Sequence, residues 1–462
     1  MQASRPIATS LPRTPALPPG PSAPAAVQTL RLVRHPYDFL ERCARDFGDA
    51  FTLRTLGQPP SVVMSHPDAI REIFTADPDV LSAGESNAPF LAPILGENSV
   101  LVLDGARHLR KRRLLLPPLH GERMQAYAVT MRDLTDVVVD AWPVGQPFPI
   151  LASMQRITLD VIIRTVFGVE TSGTTGRLRE ALFAMLGMAG SLAALSIAIP
   201  ALRIELGGLA PWGRFRRHRA TFDRILREEI AARRQAGTEG RTDILSLLLE
   251  ARDEDGEPMS DAELLDEMFT LLMAGHETTA AALAWAFHHV LVEPAVVTRL
   301  RAELAAVVGG GRLEPWHLSR LEYVDAVVKE TLRVFPIIPS VVRRVKAPVR
   351  IGGWDVPAGA TVSAAIYLAH RRADSWPEPD CFVPERFLGA RPSPYAFLPF
   401  GGGTRRCLGA AFASYEMKVV LATTFLRAEL REAPGYRMRP VSRGFAVAPS
   451  EGTPVVLEHR RP

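Results

Sequence analysis

One stretch of this 462-residue chain constrains the fold more than any other. From Phe269 to Val292 the sequence is almost entirely apolar, and it is preceded by Ser260-Asp261-Ala262-Glu263. Those four residues form a capping box, in which serine and glutamate each satisfy an otherwise orphaned amide at a helix start. No proline or glycine pair interrupts the run until Pro294, so a helix is expected from Ser260 to about Leu291. At 1.5 Å per residue it is on the order of 45 Å long, enough to cross a whole domain. A helix that is apolar all round has no solvent face and has to be wrapped by protein on nearly every side. The expectation is a mainly α molecule assembled around one buried rod.

Other segments fill in that picture. Phe51–Leu56 and Ser61–Met64 flank the turn-forming Gly57-Gln58-Pro59-Pro60 and read as a β-hairpin. A second helix, from about Leu318 through Leu321, Val324 and Val328, ends at Phe335-Pro336. Val349–Ile366, with Gly352-Gly353 and Pro357-Ala358-Gly359, reads as short strands and turns. A last helix follows Cys407 through Ala410, Phe412, Met417 and Val420. The N-terminal residues 1–29 are rich in proline and alanine and lack an apolar signal or anchor, so they read as a flexible lead of polyproline character. Ala181–Leu202 carries no charge and has the length of a membrane span, but it contains Gly187, Gly190, Ser191, Ser196 and Pro200. It reads as a buried or pocket-covering helix pair.

Charge and cysteine content exclude several functions. Lys and Arg total 54 against 50 Asp and Glu, a formal +4 spread along the chain, which gives no footprint for nucleic acid. Cys43, Cys381 and Cys407 are too few and too scattered for a disulfide framework or a structural zinc site. A reducing, cytoplasmic setting and no transmembrane anchor are expected.

Three constellations carry candidate chemistry. Within the central run lies Ala274-Gly275-His276-Glu277-Thr278-Thr279. A threonine there can bond back to the carbonyl four residues earlier, and beside Gly275 this opens a polar notch next to an acid. That is the parts list of a proton relay; a kinked core helix with a satisfied glutamate reads equally well, and the local pattern leaves both open. Glu330 and Arg333 lie three apart on one helix and share a face, with Arg386 a possible third member. Buried charge pairs of this kind usually fix architecture. Finally, Phe400-Gly401-Gly402-Gly403-Thr404-Arg405-Arg406-Cys407-Leu408-Gly409 runs straight into a helix. Amide dipoles and arginines there favour the thiolate, and a depressed thiol pKa is expected. A lone thiolate so framed suits a nucleophile or one axial metal bond.

The pattern Phe400-x-x-Gly403-x-Arg405-x-Cys407-x-Gly409 resembles the haem-thiolate signature of the cytochromes P450. Ala274-Gly275-x-Glu277-Thr278-Thr279 is similar to that family's oxygen-activating helix, Glu330-x-x-Arg333 to its charge pair and Pro384–Phe387 to its next landmark, in the same order. The likeness covers roughly 30–462 and implies a single catalytic domain of the cytochrome P450 fold, mainly α with small β-sheets. Haem b would be sandwiched between the central helix and the helix after the cysteine loop. Cys407 would be the iron ligand, with Phe400 and Gly409 part of its setting. Glu277 and Thr278 would be the catalytic pair, and His108, Arg112, Arg343 and Arg405 would meet the haem propionates, with Arg344 close enough to leave the register of Arg343 open. Glu330, Arg333 and Arg386 would be structural.

The resemblance further implies a soluble, bacterial-type monooxygenase, expected as a monomer. It would take electrons from a ferredoxin or flavodoxin and its NAD(P)H-dependent reductase, docked in part by Arg110-Lys111-Arg112-Arg113 and Arg405-Arg406. Its substrate would be a lipophilic small molecule such as a terpenoid, fatty acid, steroid or polyketide, hydroxylated or epoxidised in a pocket that includes Phe90, Leu91, Met273, Ala274, Ile338 and Val341. The fragment Leu114–Met124 resembles a bacterial subgroup associated with fatty acids and terpenoids. A peroxide-driven haem-thiolate enzyme and a non-catalytic haem-binding protein are the alternatives; members of the first kind generally lack the acid–alcohol pair.

Overall fold

A computed structural model describes residues 17–121, 123–168, 173–186, 203, 210–389, 391–444 and 446–461. The central helix runs from Asp261 to Val292 and opens with the expected capping box. Its second half is sealed: Ala280 to Phe287 are all at most 3% exposed. The helix Ile150–Phe167 lies along it, and Gly275 marks the close approach, since a Cβ there would meet Ile162 at 3.1 Å. The helix Ala410–Arg427 packs on the other side, together with Glu322–Val334.

The expected hairpin forms, with Ala50–Leu53 antiparallel to Ser61–Met64. It belongs to a five-stranded sheet that continues through Thr361–Ala364, Val341–Val345 and Leu81–Ser82, and only the pairing of Ser61–Met64 with Thr361–Ala364 is parallel. Val349–Ile351 and Trp354–Val356 pair around Gly352 and Gly353, both at positive φ, the geometry that tight hairpin turns require. Two smaller sheets, Pro147–Pro149 with Pro454–Arg460 and Ala428–Glu432, and Pro440–Arg443 with Ala446–Pro449, complete the β portion.

Boundaries differ from the sequence reading in three places, the first being the hairpin strand, which ends at Leu53 and not at Leu56. The second helix begins at Glu322, not near Leu318. Pro315–Arg320 is a separate 3₁₀ turn, and Glu303 caps the new start by accepting from the amides of Tyr323 and Val324 at 2.6 and 3.0 Å. The N-terminal lead, read as flexible through residue 29, is fastened from Leu17 onward. Thr52 bonds the carbonyls of Pro18 and Pro19, while fully buried Gln28 holds Pro21, Ala23 and Arg54. Proline-rich backbone keeps its carbonyls as acceptors, and the sheet edge supplies donors for them. A helix, Ala25–Arg34, follows.

Of the uncharged stretch, residues 181–186 end the helix Gly173–Leu186, and 187–202 lie outside the described residues. No single helix among the described residues is long and apolar enough to cross a membrane.

Candidate active site

The cysteine loop is folded by its glycines. Gly403 has φ +63°, and a Cβ there would fall 2.3 Å from the carbonyl oxygen of Phe74; one on Gly402 would fall 2.7 Å from the Phe74 ring. Only glycine lets the loop lie this close. The amide of Cys407 donates to Phe400 at 3.0 Å, and Gly409 then caps the helix Ala410–Arg427. Cys407 is surrounded by protein on all sides yet accessible, so it lines an internal space. Its thiol departs from the sequence expectation. Burial pushes it up from 9.0, and the Gly409 amide, Arg112 and Arg406 only partly offset this. Desolvation outweighs the dipole and the cations at this depth.

Beneath the loop, Glu330 and Arg333 are fully buried and paired at 2.7 and 2.8 Å. Arg386 joins Glu330 at 3.0 Å, and Arg333 donates to the carbonyls of His370, Pro379 and Cys381. The three residues singled out from sequence are therefore one cluster, with every polar end occupied.

Beside the loop, His108, Arg343 and Arg405 line one small cavity of about 60 Å³ with Asp104 and Phe74. Arg343 is 8% exposed and lines this cavity, while strand alternation points Arg344 the other way. Arg343 makes one hydrogen bond, to the carbonyl of Val342, and no carboxylate pairs with it among the described residues. A buried guanidinium without a counter-ion is costly, and an anionic group entering the cavity would relieve it. Burial and the Arg405 guanidinium push His108 down to about 4 and Arg343 to about 10. Arg405 bonds Asp104 and the carbonyls of Val100 and Leu103. Arg112 is not part of this cavity: its guanidinium donates to the Arg406 carbonyl at 2.7 Å and braces the cysteine loop. A groove of about 510 Å³ beside Phe47, Asp49, Met64 and Trp354 includes none of the expected site residues.

On the central helix, Thr278 donates back to the carbonyl of Ala274 at 2.6 Å, the bond the sequence suggested. Ala274 is exposed although the helix beyond Thr279 is sealed, so the helix faces an internal space there. The Glu277 carboxylate accepts from Gln155 at 2.8 Å, and burial raises its pKa against the pull of Gln155 and Arg443. His276 meets Thr158 through Nδ1 at 2.9 Å, its Nε2 lies 3.8 Å from the Glu277 carboxylate, and burial holds it down near 4. The helix Gly84–Leu95, which carries Phe90 and Leu91, touches both the central helix and the strand Val341–Val345. Phe90, Leu91, Met273 and Val341 are each half-buried, and Ile338 is 38% exposed.

The basic run after His108 is mostly paired internally, which removes much of the expected docking patch. Lys111 is 1% exposed and binds Glu263 at 2.6 Å, and Arg110 binds Asp253 and Glu263. Helical rotation turns both toward the start of the central helix. Arg107, Arg113 and Arg406 stay exposed. Sequence reasoning missed Asp104, Gln155, Thr158 and His370. Asp104 alone carried a signal, as a cap-type residue before Gly105, and its carboxylate caps a different helix at Gly84 and Glu85.

A glycine-framed, deep and accessible cysteine in a mostly helical fold is the arrangement of a haem-thiolate oxidoreductase. The chain belongs to the cytochrome P450 family, whose model matches residues 17–454. It is 38% identical to the putative cytochrome P450 135B1 of Mycobacterium tuberculosis over 96% of this chain and 92% of that protein. It is also 38% identical to the putative cytochrome P450 138 of the same organism, over 98% and 99%. The retinoic-acid-bound cyanobacterial CYP120A1 superposes with a TM-score of 0.84 at 26% identity, covering 97% of this chain and all of that one. The cytochrome P450DA haem domain gives 0.85 at 25% identity, covering 97% and 99%. The protein is a haem b monooxygenase.

Proposed function

We propose that the chain inserts one atom of dioxygen into a lipophilic small molecule, a terpenoid, fatty acid, steroid or polyketide, by hydroxylation or epoxidation. The observation that carries this reading is Cys407, deep in the protein yet accessible, framed by Gly402, Gly403 and Gly409. Haem iron bound through a thiolate activates dioxygen, and electron density from sulfur favours O–O cleavage. Cys407 supplies that sulfur, and direct metal coordination would deprotonate a thiol that burial alone keeps protonated. His108, Arg343 and Arg405 would hold the haem propionates, whose charge suits the buried Arg343 guanidinium, which has no carboxylate paired to it among the described residues. Phe400 and Gly409 shape the loop, Arg112 braces it, and Glu330, Arg333 and Arg386 hold it in place.

On the opposite side, Glu277 and Thr278 hold and move protons. The Glu277 pKa, raised by burial, brings it nearer to neutral, where a carboxyl group gives up and regains a proton readily. Thr278 has to leave the Ala274 carbonyl to offer its hydroxyl to the cavity. Phe90, Leu91, Met273, Ala274, Ile338 and Val341 supply an apolar wall with few polar handles, as a lipophilic ligand needs. The cyanobacterial neighbour that binds retinoic acid fits this reading. Two electrons come from a ferredoxin or flavodoxin with its reductase, and Arg107 and Arg406 are exposed cations for docking it, while Arg113 is paired with Glu254 at 2.6 Å.

The test is reconstitution with ferredoxin, ferredoxin reductase and NADPH, a panel of those four substrate classes, and isotopically labelled dioxygen. Products carrying one labelled oxygen are expected. NADPH-dependent turnover without label in any product would overturn the reading.

A further inference from the structure

His370 is fully buried and lies on neither of the expected motifs, yet it joins two of them. Its Nδ1 faces the Arg333 carbonyl at 3.1 Å, and its Nε2 accepts from the Leu398 amide at 2.9 Å. A carbonyl only accepts and an amide only donates, so the ring carries its proton on Nδ1 and a lone pair on Nε2. Arg333 closes the link by donating to the His370 carbonyl at 2.9 Å. The ring also stacks on Phe397, with centroids 5.6 Å apart. Beyond it, Leu398 accepts from Gly401 at 2.9 Å and Phe400 from Cys407 at 3.0 Å. One imidazole therefore stands between the buried charge cluster and the backbone that carries the thiol.

We propose that His370 is a positioning residue for the cysteine loop: its Nε2–Leu398 bond sets the register in which Cys407 is presented. A second proton on Nε2 would confront the Leu398 amide with another donor. Burial, with Arg333 and Arg371 nearby, pushes the ring down to about 3 and keeps it neutral. The proposal rests on Cys407 as the iron ligand.

Two substitutions divide the ring's bonds. In His370→Gln the side-chain oxygen reaches the Nε2 position and still accepts from Leu398. In His370→Asn the shorter amide still donates to Arg333 and leaves Leu398 without an acceptor. The measurements on the haem-loaded enzyme are the carbon monoxide difference spectrum, the rate at which its thiolate band is lost on mild warming, and hydrogen exchange of the Leu398 amide. For His370→Asn we expect roughly tenfold faster band loss and tenfold faster exchange, the size of one buried amide left unpaired. His370→Gln stays within about twofold of wild type on both, because the Leu398 bond is retained. Equal changes in the two variants, tracking their melting temperatures, would overturn the proposal and make the ring a packing element only. A wild-type protein without the thiolate band would overturn the assignment of Cys407 as well, so the two failures are distinguishable.

Discussion

The two walls of the site are built differently. On the cysteine side, Glu330, Arg333, Arg386 and His370 form a closed network in which each polar end has a partner, and Glu330 and Arg333 are wholly buried. On the central-helix side, Thr278 bonds back to its own helix, Glu277 accepts from the neutral donor Gln155 with His276 Nε2 3.8 Å away, and Ala274 opens to the interior. The first wall has one arrangement that satisfies everything in it. The second has side chains whose partners can be exchanged at small cost. A metal ligand has to stay at one distance, whereas a proton carrier has to change partners, so the contrast follows the chemistry each side would perform.

The largest effect that tests this contrast is removal of Arg333. Arg333→Ala leaves Glu330 buried beside Arg386 alone, at a cost of about 3–5 kcal/mol. The expected result is protein that expresses without haem or melts far below wild type; a variant with normal haem content and melting temperature would break the account of a closed wall. Thr278→Ala comes next. It should keep haem content, melting temperature and carbon monoxide spectrum while product formed per NADPH falls by about tenfold or more, with peroxide appearing instead. Unchanged coupling removes Thr278 from the relay.

Each wall also contains a histidine that burial keeps neutral, His276 near 4 and His370 near 3 against an ordinary 6.5. Below 6.5 the unfolded chain takes up protons that the folded protein refuses. Their contribution to stability is therefore complete above pH 6.5 and is lost as the pH falls toward 4, by about 1.4 kcal/mol per pH unit for each refused proton. Buried carboxyls such as Glu267, raised to about 8, slope the other way, so the comparison is between variants: in denaturant titrations between pH 7 and 5, His276→Gln should lose one proton's share of the wild-type slope. A His276→Gln variant whose midpoint changes with pH as steeply as that of wild type contradicts the burial of that ring. The smallest effect is Gln155→Leu. Without that donor the Glu277 carboxylate is less favoured, and the pH at which coupled turnover changes should move upward with only a few-fold loss of maximal rate. A downward move would show that Gln155 favours the neutral acid.

These walls were not equally legible in the sequence. The charge cluster and the cysteine loop announce themselves because helical spacing and glycine need are local, and Glu330-x-x-Arg333 and Gly402-Gly403 mean the same thing in the chain as in the fold. The back-bond of Thr278 to Ala274 is local for the same reason. What escaped depends on contacts between distant segments. Gln155 and Glu277 are 122 residues apart, and His370 meets Leu398 28 residues further along the chain. The raised thiol pKa of Cys407 escaped because dipoles and arginines are visible in sequence, while the depth that outweighs them is not. Arg110 and Lys111 looked available for a partner because their acceptors, Asp253 and Glu263, lie some 150 residues away.

Everything on the cysteine side converges on the thiol of Cys407, so the most direct measurement is the carbon monoxide difference spectrum of the dithionite-reduced protein. The account predicts a strongly red-shifted Soret band in the wild type, absent in Cys407→Ser. A band typical of histidine-ligated haem, or the same red-shifted band surviving in Cys407→Ser, would contradict it.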